Sequence, residues 1–190
     1  MSEPDRHDRS WQEQIDSDVD ASLADMQTIA VIGLSPKPER DSHRVTAYMQ
    51  RHGYRIIPVN PAAAGTEILG EHVYATLAEA RNALPDLEID TVNVFRRSVD
   101  THQPIADALA AKQAGVRTVW LQLGIVNPDG LRRARAAGMR AVEDRCLMVE
   151  HRRLVPTDRV REPAYLARVV CFCLNCIYGL RACRAVCCRA

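Results

Sequence analysis

The sequence lacks the long apolar runs of a membrane protein. No uncharged apolar stretch in its 190 residues reaches the roughly 18 residues that a transmembrane helix needs. The N-terminal segment also lacks the hydrophobic stretch that a secretory signal requires. We therefore expect a cytoplasmic protein without a transmembrane segment.

Aromatic residues are scarce, at 5%, and lysine is nearly absent, with two Lys beside 23 Arg. The chain is nevertheless 47% hydrophobic and 26% charged, which is typical of a soluble globular α/β protein and excludes collagen, coiled coil and wholesale disorder. Its length suffices for one domain of ordinary size with tails.

The central part of the chain has no excess of positive charge. Residues 28–151 carry fifteen basic and fourteen acidic side chains, whereas residues 1–27 carry two Arg against eight Asp or Glu, and residues 152–190 carry eight Arg against two acids. A neutral core argues against nucleic-acid binding, because that requires a surface excess of Lys and Arg. We expect an acidic disordered leader over residues 1–20, a domain over 21–154 and a separate Cys/Arg-rich tail over 155–190.

Five short apolar runs alternate with helical patterns along the domain. The predicted strands are residues 28–32, 54–59, 89–95, 117–121 and 139–143. Strands too apolar to face water indicate a parallel sheet covered on both faces, and right-handed crossovers then favour a Rossmann-like, doubly wound, five-stranded α/β fold in a single domain. An α/β barrel would need eight such units.

Polar and glycine residues follow the predicted strands. In open α/β sheets the ligand binds beyond the carboxyl ends of the strands, so these residues are expected to converge. Gly33 and Ser35 allow close backbone approach at a helix start, and nearby cations suit a phosphate group. The cations are Lys37, Arg40, His43 and Arg44.

The absence of two features of dinucleotide sites limits which nucleotide the chain is expected to bind. The chain has no G-x-G-x-x-G after the first strand, and Asn60 stands where a dinucleotide site would place an acid. Ordinary NAD binding is therefore disfavoured. A ligand with an additional phosphate near its ribose fits better, and coenzyme A and NADP both remain open at this point.

Six motifs at the strand ends carry a resemblance to a known family. They are residues 29–38 (IAVIGLSPKP), 42–45 (SHRV), 53–61 (GYRIIPVNP), 90–97 (DTVNVFRR), 119–124 (VWLQLG) and 143–151 (EDRCLMVEH). Over residues 20–154 the chain resembles the small bacterial CoA-binding domain family. The resemblance implies a stand-alone Rossmann-like protein that binds CoA or acyl-CoA, similar to the CoA-binding domain of the succinyl-CoA synthetase alpha subunit.

The strand-end argument and the resemblance together define the expected coenzyme A site. Its residues are Gly33, Ser35, Lys37, Arg40, His43, Arg44, Pro58, Val59, Asn60, Phe95, Arg96, Gln122, Leu123, Gly124 and Asn127. By position in a strand, Trp120 is expected in the core, while Phe95 at a strand end is a candidate for stacking on adenine.

No catalytic constellation is evident. The larger synthetases carry a phosphorylated histidine on a second domain, for which this chain is too short, and His151 is interpreted as a structural or surface residue. We expect binding without a reaction of its own. The alternatives are a ligase-like module acting with a separate catalytic subunit, or an NADP-dependent oxidoreductase, although no Tyr-x-x-x-Lys pair is present. A protein partner or homo-oligomer also remains open.

Six of the seven cysteines lie in the last twenty residues. Their spacing does not form two separated metal-binding knuckles, so no metal site is predicted. An artefactual or disordered tail, or a helix for a partner or membrane surface, fits this segment better. Cys146 is expected to be buried and inert, the alternative being a mixed disulfide with the CoA thiol.

Overall fold

A computed structural model describes residues 3–155 of the chain. The predictions for the tail fall almost entirely on residues 156–190, which lie outside the described residues. None of the helices in the described part combines the length and the apolarity that a membrane crossing requires.

Five parallel strands form the central sheet, as the sequence predicts. In chain order they are β1 (Thr28–Ile32), β2 (Arg55–Val59), β5 (Thr91–Val94), β6 (Thr118–Leu121) and β7 (Arg140–Val142), and their order across the sheet is β2-β1-β5-β6-β7. Two short strands between β2 and β5, namely β3 (Glu67–Ile68) and β4 (Glu71–His72), pair antiparallel with each other. In the parallel register Ile32 lies between Val59 and Val94, so β1, β2 and β5 end together.

Six helices cover the two faces of the sheet. They are α1 (Glu3–Asp25), α2 (Asp41–Arg51), α3 (Leu77–Ala83), α4 (His102–Ala110), α5 (Pro128–Ala136) and α6 (Leu147–Leu154). Side chains of α3, α4 and α5 pack in one hydrophobic cluster, and those of α1, α2 and α6 pack in the other. Successive residues of a strand point to opposite faces, and accordingly Ala30 joins the first cluster and Val31 the second. This is the doubly wound arrangement predicted from the sequence.

The N-terminal segment differs from its prediction as a disordered leader. Residues 3–25 form α1, and its Ile15, Val19 and Leu23, spaced four residues apart, are at most 3% exposed. The acidic side chains are also held, since Asp18 accepts hydrogen bonds from Arg135 Nε at 3.1 Å and from the N–H of Ala141 at 3.0 Å. The acidic composition of the segment predicts disorder. The arginines that pair with its acidic side chains lie more than a hundred residues away in the chain, so the local composition does not reveal them.

Candidate functional site

The strand order places a topological switch between β1 and β5. The chain leaves β1 towards β2 on one side and later returns to β5 on the other side. Connections at the carboxyl ends of β1 and β5 therefore diverge and leave a crevice, which is where open α/β sheets bind their ligands. Most of the predicted site residues belong to the loops at this edge.

Gly33 brings the loops after β1 and β5 into close contact. Its φ is +86°, and its N–H donates to the carbonyl oxygen of Val59 at 2.7 Å. A Cβ at this position would lie 2.6 Å from the carbonyl oxygen of Phe95 and 3.2 Å from Nε of Arg96. Only glycine satisfies both the conformation and the spacing, and its backbone consequently lines the crevice.

The loop after Gly33 is shaped by two serines. The N–H of Ser35 donates to Oγ of Ser42 at 3.1 Å, and Oγ of Ser35 accepts from the N–H of Lys37 at 3.2 Å. Ser42 was not among the predicted residues, although its place at the start of the following helix is typical of such a contact. Arg40, the N-cap of α2, makes no side-chain hydrogen bond to that helix, so its own side chain does not cap the first-turn amides. Uncapped amides at a helix start favour an anion there.

Asn60 joins the end of β2 to the same loop. Its Nδ2 donates to the carbonyl oxygen of Leu34 at 2.9 Å, and its Oδ1 accepts from the N–H of Ala62 at 3.2 Å. Pro58 and Val59 are buried, and their carbonyl oxygens accept from Tyr74 and Gly33 respectively. Val59 and Asn60 therefore support the loop after β1, whereas Pro58 contacts Tyr74, and Asn60 is the one of the three with partial exposure.

Cations from two loops lie at this edge, with the carboxylate of Glu39 between Lys37 and Arg40 in the sequence. Lys37 and Arg40 are exposed and Arg96 is half-buried, and none of these three cations forms an ion pair with the described side chains of residues 10–155. Arg44 is different, because it pairs with Asp41 at 2.8 Å. The unpaired cations on both sides of Gly33 provide the field that a phosphorylated ligand requires.

Two predicted residues have side chains that are engaged inside the protein. Gln122 is buried, donating to Oδ1 of Asn93 at 3.1 Å. Asn127 is also buried and caps α5, with Oδ1 accepting from the N–H of Gly130 at 2.9 Å and Nδ2 donating to Thr101 Oγ1 at 2.8 Å. Their main-chain N–H groups also donate within the protein, to the carbonyl oxygen of Val94 and to Oε2 of Glu143 respectively, so the structure does not present these two predicted residues as donors to a ligand.

The remaining predicted residues lie around this edge or along α2. Leu123 is 68% exposed, and the N–H of its neighbour Gly124 donates to Oδ1 of Asp144 at 2.7 Å. Phe95 is half-buried and packs partly against the cluster formed with α1, α2 and α6. His43 and Arg44 face a groove between α2 and α6.

Three residues discussed for other roles have clear places in the structure. Trp120 is fully buried, as predicted, and its Nε1 donates to the carbonyl oxygen of Arg145 at 2.8 Å. His151 is only 3% exposed, with Nδ1 lying 3.0 Å from Oη of Tyr48, which supports a structural role. Cys146 is half-buried and free. Within the described residues no group of three or more His, Cys, Asp or Glu side chains could hold a metal ion.

Two buried carboxyl groups, those of Asp90 and Glu143, connect the sheet to other segments through hydrogen bonds. Burial raises the pKa of Asp90, against hydrogen bonds donated by the N–H groups of Thr28 and Gln27, both at 2.8 Å. Glu143 accepts from Trp11 Nε1 at 3.0 Å and from the N–H of Asn127 at 2.7 Å. Both accept hydrogen bonds from partners distant in the chain, and neither was predicted from the sequence as a buried acceptor.

Comparison with known proteins adds to this geometry. A family model described as a CoA binding domain matches residues 27–152. The uncharacterized protein YneT of Bacillus subtilis (strain 168) is 40% identical over 123 residues, which are 65% of this chain and 84% of that protein.

Two solved structures are similar over most of their length. One is cell-free ID.343 from Thermus thermophilus, with 38% identity and a TM-score of 0.63 over 73% of this chain and 98% of the other. The second is a hypothetical protein from Pyrococcus horikoshii OT3, with 35% identity and a TM-score of 0.64 over 74% of this chain and 92% of the other. The matched family region runs from just before β1 into α6 and includes the whole carboxyl edge of the sheet.

Proposed function

The chain belongs to the CoA binding domain family, and from this we propose that it binds coenzyme A or an acyl-CoA in the crevice between the ends of β1 and β5. The observation that carries the proposal is the Gly33 loop. It approaches the carbonyl oxygen of Phe95 closely and is flanked by the unpaired cations Lys37, Arg40 and Arg96.

The phosphate groups of the ligand are placed by charge and by main-chain donors. The N–H groups of Ser35 and Lys37 already donate within the loop, so the main-chain donors offered to an oxyanion are those at the start of α2, with Lys37 and Arg40 just before them. Arg96 reaches the crevice from the other side, near Gly33. A diphosphate, such as that of CoA, can contact cations on both sides.

Asn60 favours coenzyme A over NAD. An NAD site uses an Asp or Glu at the end of the second strand to accept hydrogen bonds from the ribose hydroxyls. Here Asn60 occupies that position, and its amide is engaged with Leu34 and Ala62. Asn60 has no carboxylate that would repel a phosphate group on the ribose.

We propose that the protein binds its ligand without transforming it. His151, a candidate for a phosphorylated nucleophile by analogy with the larger synthetases, is buried and hydrogen-bonded to Tyr48. The protein would then act as a carrier, sensor or regulator of CoA, or supply CoA to a separate catalytic subunit.

Calorimetric titration of the full chain tests the proposal. CoA, dephospho-CoA, acetyl-CoA, NAD and NADP are compared at one ionic strength. We expect CoA or acetyl-CoA to bind more tightly than NAD and NADP. Tighter binding of NADP, or no binding of any of the five ligands, would contradict the proposal.

Catalysis is tested separately by incubating the protein with acetyl-CoA and following release of the free thiol. We expect no release above that of a buffer blank. Turnover would show that the protein has an activity of its own.

A further inference from the structure

A groove between α2 and α6 lies outside the crevice at the ends of β1 and β5. Its volume is about 420 Å³, within the range of sites that hold small ligands. The residues that line it are His43, Arg44, Ala47, Tyr48 and Arg51 of α2, with Met148 and Arg152 of α6.

The lining of the α2–α6 groove is strongly cationic. Three of its seven residues are arginines, and none of the seven is acidic. Arg44 is neutralised by its pair with Asp41 at 2.8 Å. Glu150, on α6, is engaged with Arg153 at 2.9 Å and lies 3.9 Å from Arg145. Among the side chains described, those of residues 10–155, Arg51 and Arg152 face the groove without an ion-pair partner.

The floor of the groove holds one of these guanidinium groups in place. Cζ of Arg152 lies 4.7 Å from the ring centroid of Tyr48. Tyr48 is itself only 6% exposed, and its Oη is 3.0 Å from Nδ1 of the buried His151. Stacking on a fixed aromatic ring pre-organises a guanidinium for hydrogen bonding to an anion.

The other guanidinium is placed by helix geometry. Arg44 and Arg51 are seven residues apart, two turns of α2, and so lie on the same side of the helix. Between them Ala47 contributes only a methyl group. This small residue leaves space between α2 and α6 in which a ligand group can meet both Arg51 and Arg152.

We propose that the α2–α6 groove binds a phosphate group, through charge-assisted hydrogen bonds from Arg51 and Arg152. The bound group is either the 3′-phosphate of CoA or the phosphate of a separate phosphorylated small molecule. The first source rests on the proposed function, because His43 and Arg44 extend from the start of α2, beside the crevice, into the groove. The second source is independent of the proposed function.

A purely structural role makes a different prediction for the same residues. Arg51 and Arg152 lie in the last turns of α2 and α6, where a cation also stabilises a helix through its dipole. Substitution would then lower stability without changing any affinity. The experiment must consequently measure binding as well as unfolding.

The test compares two variants of the full chain with equal loss of charge. Arg51→Gln with Arg152→Gln removes the groove cations, and Arg132→Gln with Arg133→Gln removes two exposed cations of α5, one of them in its last turn. Inorganic pyrophosphate, CoA and dephospho-CoA are titrated calorimetrically into each. A third variant, Lys37→Ala with Arg40→Ala, removes two of the three unpaired crevice cations and leaves Arg96, so it weakens anion binding in the crevice without changing the groove.

We expect the groove variant to weaken pyrophosphate binding about tenfold, measured in the Lys37→Ala, Arg40→Ala background, and the α5 variant to leave it within about twofold. If the groove variant also abolishes the preference for CoA over dephospho-CoA, the phosphate is the 3′-phosphate. If that preference survives while pyrophosphate binding is lost, the ligand is a separate molecule. Unchanged affinities for all three ligands, with or without a change in thermal stability, would overturn the groove proposal. Groove-dependent pyrophosphate binding without CoA binding would overturn only the proposed function.

Discussion

Nδ2 of Asn60 donates to the carbonyl oxygen of Leu34 at 2.9 Å, so the end of β2 directly holds the loop that follows β1. Leu34 is fully buried, and its carbonyl would lose this partner if the amide were removed. The positioning of the Gly33 loop thus depends on a side chain at the end of the neighbouring strand.

Asn60→Ala is expected to lower the free energy of unfolding by about 1–3 kcal/mol, because a buried acceptor loses its hydrogen bond. CoA affinity should fall about fivefold or more as the loop loses its support. Urea unfolding and calorimetry measure the two effects. Asn82→Ala, at an exposed position of α3, serves as the control. Wild-type values for Asn60→Ala in both assays would contradict the role assigned to this amide.

Gly33→Ala is expected to destabilise the protein by at least about 2 kcal/mol, since it combines a left-handed backbone with a contact to the carbonyl oxygen of Phe95. Gly65→Ala is the matched control. Gly65 has a similar φ of +80°, but an added Cβ there would meet no atom within 4 Å. Its cost should be about 1 kcal/mol, from the backbone conformation alone. Equal losses in thermal or urea unfolding would show that the close approach to Phe95 is unimportant.

Lys37→Ala is expected to weaken CoA binding about tenfold, because this cation has no ion pair within the described residues and lies in the proposed phosphate loop. Arg44→Ala should have a smaller effect, since Arg44 already pairs with Asp41. Calorimetric titration with CoA gives both affinities. The order of the two effects is the informative result, and the reverse order would place the phosphate further along α2.

Ile15→Ala is expected to reduce the free energy of unfolding by about 2–5 kcal/mol, because Ile15 is 1% exposed in the cluster that α1 forms with the sheet. Gln14→Ala, at the adjacent exposed position, should change it by less than about 0.5 kcal/mol. Urea unfolding distinguishes the two. An insignificant change for Ile15→Ala would mean that α1 contributes little to the folded domain in solution.

Asp25→Asn tests the ion pair that anchors the end of α1. Hydrogen bonds from Arg140, at 2.5 and 2.8 Å, hold the pKa of Asp25 below its ordinary value of 3.8. The ionised form therefore stabilises the fold above the ordinary pKa, and this contribution is lost as the pH falls through the lowered pKa. Because the side chain is 44% exposed, solvent screening limits the effect to about 1 kcal/mol or less at neutral pH.

The pH dependence of that difference is measured by urea unfolding of the two proteins between about pH 7 and about pH 2, which extends below the ordinary pKa of Asp25. The stabilities should converge towards the acid end, where Asp25 in the parent becomes protonated. A difference that stays constant over this range would show that the carboxylate charge does not contribute.

Much of the candidate site could be predicted from the sequence. Strand ends are visible as the point where an apolar run meets glycine or polar residues, and parallel strands place those points at one edge. Gly33, Lys37, Asn60 and Arg96 were found in this way. Gln122 and Asn127 satisfy the same pattern, yet their side chains are engaged with Asn93 and Thr101, partners more than 25 residues away. A strand-end pattern does not reveal which side chains already have a partner.

By itself the sequence determined the alternation of strands and helices, the doubly wound fold and the edge of the sheet at which most of the candidate site residues lie, because these follow from hydrophobic periodicity and local turn residues. Only the tertiary structure decided that the acidic N-terminus packs against the sheet as a helix, that its Asp18 pairs with Arg135, and that Arg51 and Arg152 line one groove. Each of these depends on packing between segments about a hundred residues apart, such as α2 and α6, and periodicity carries no information about such contacts.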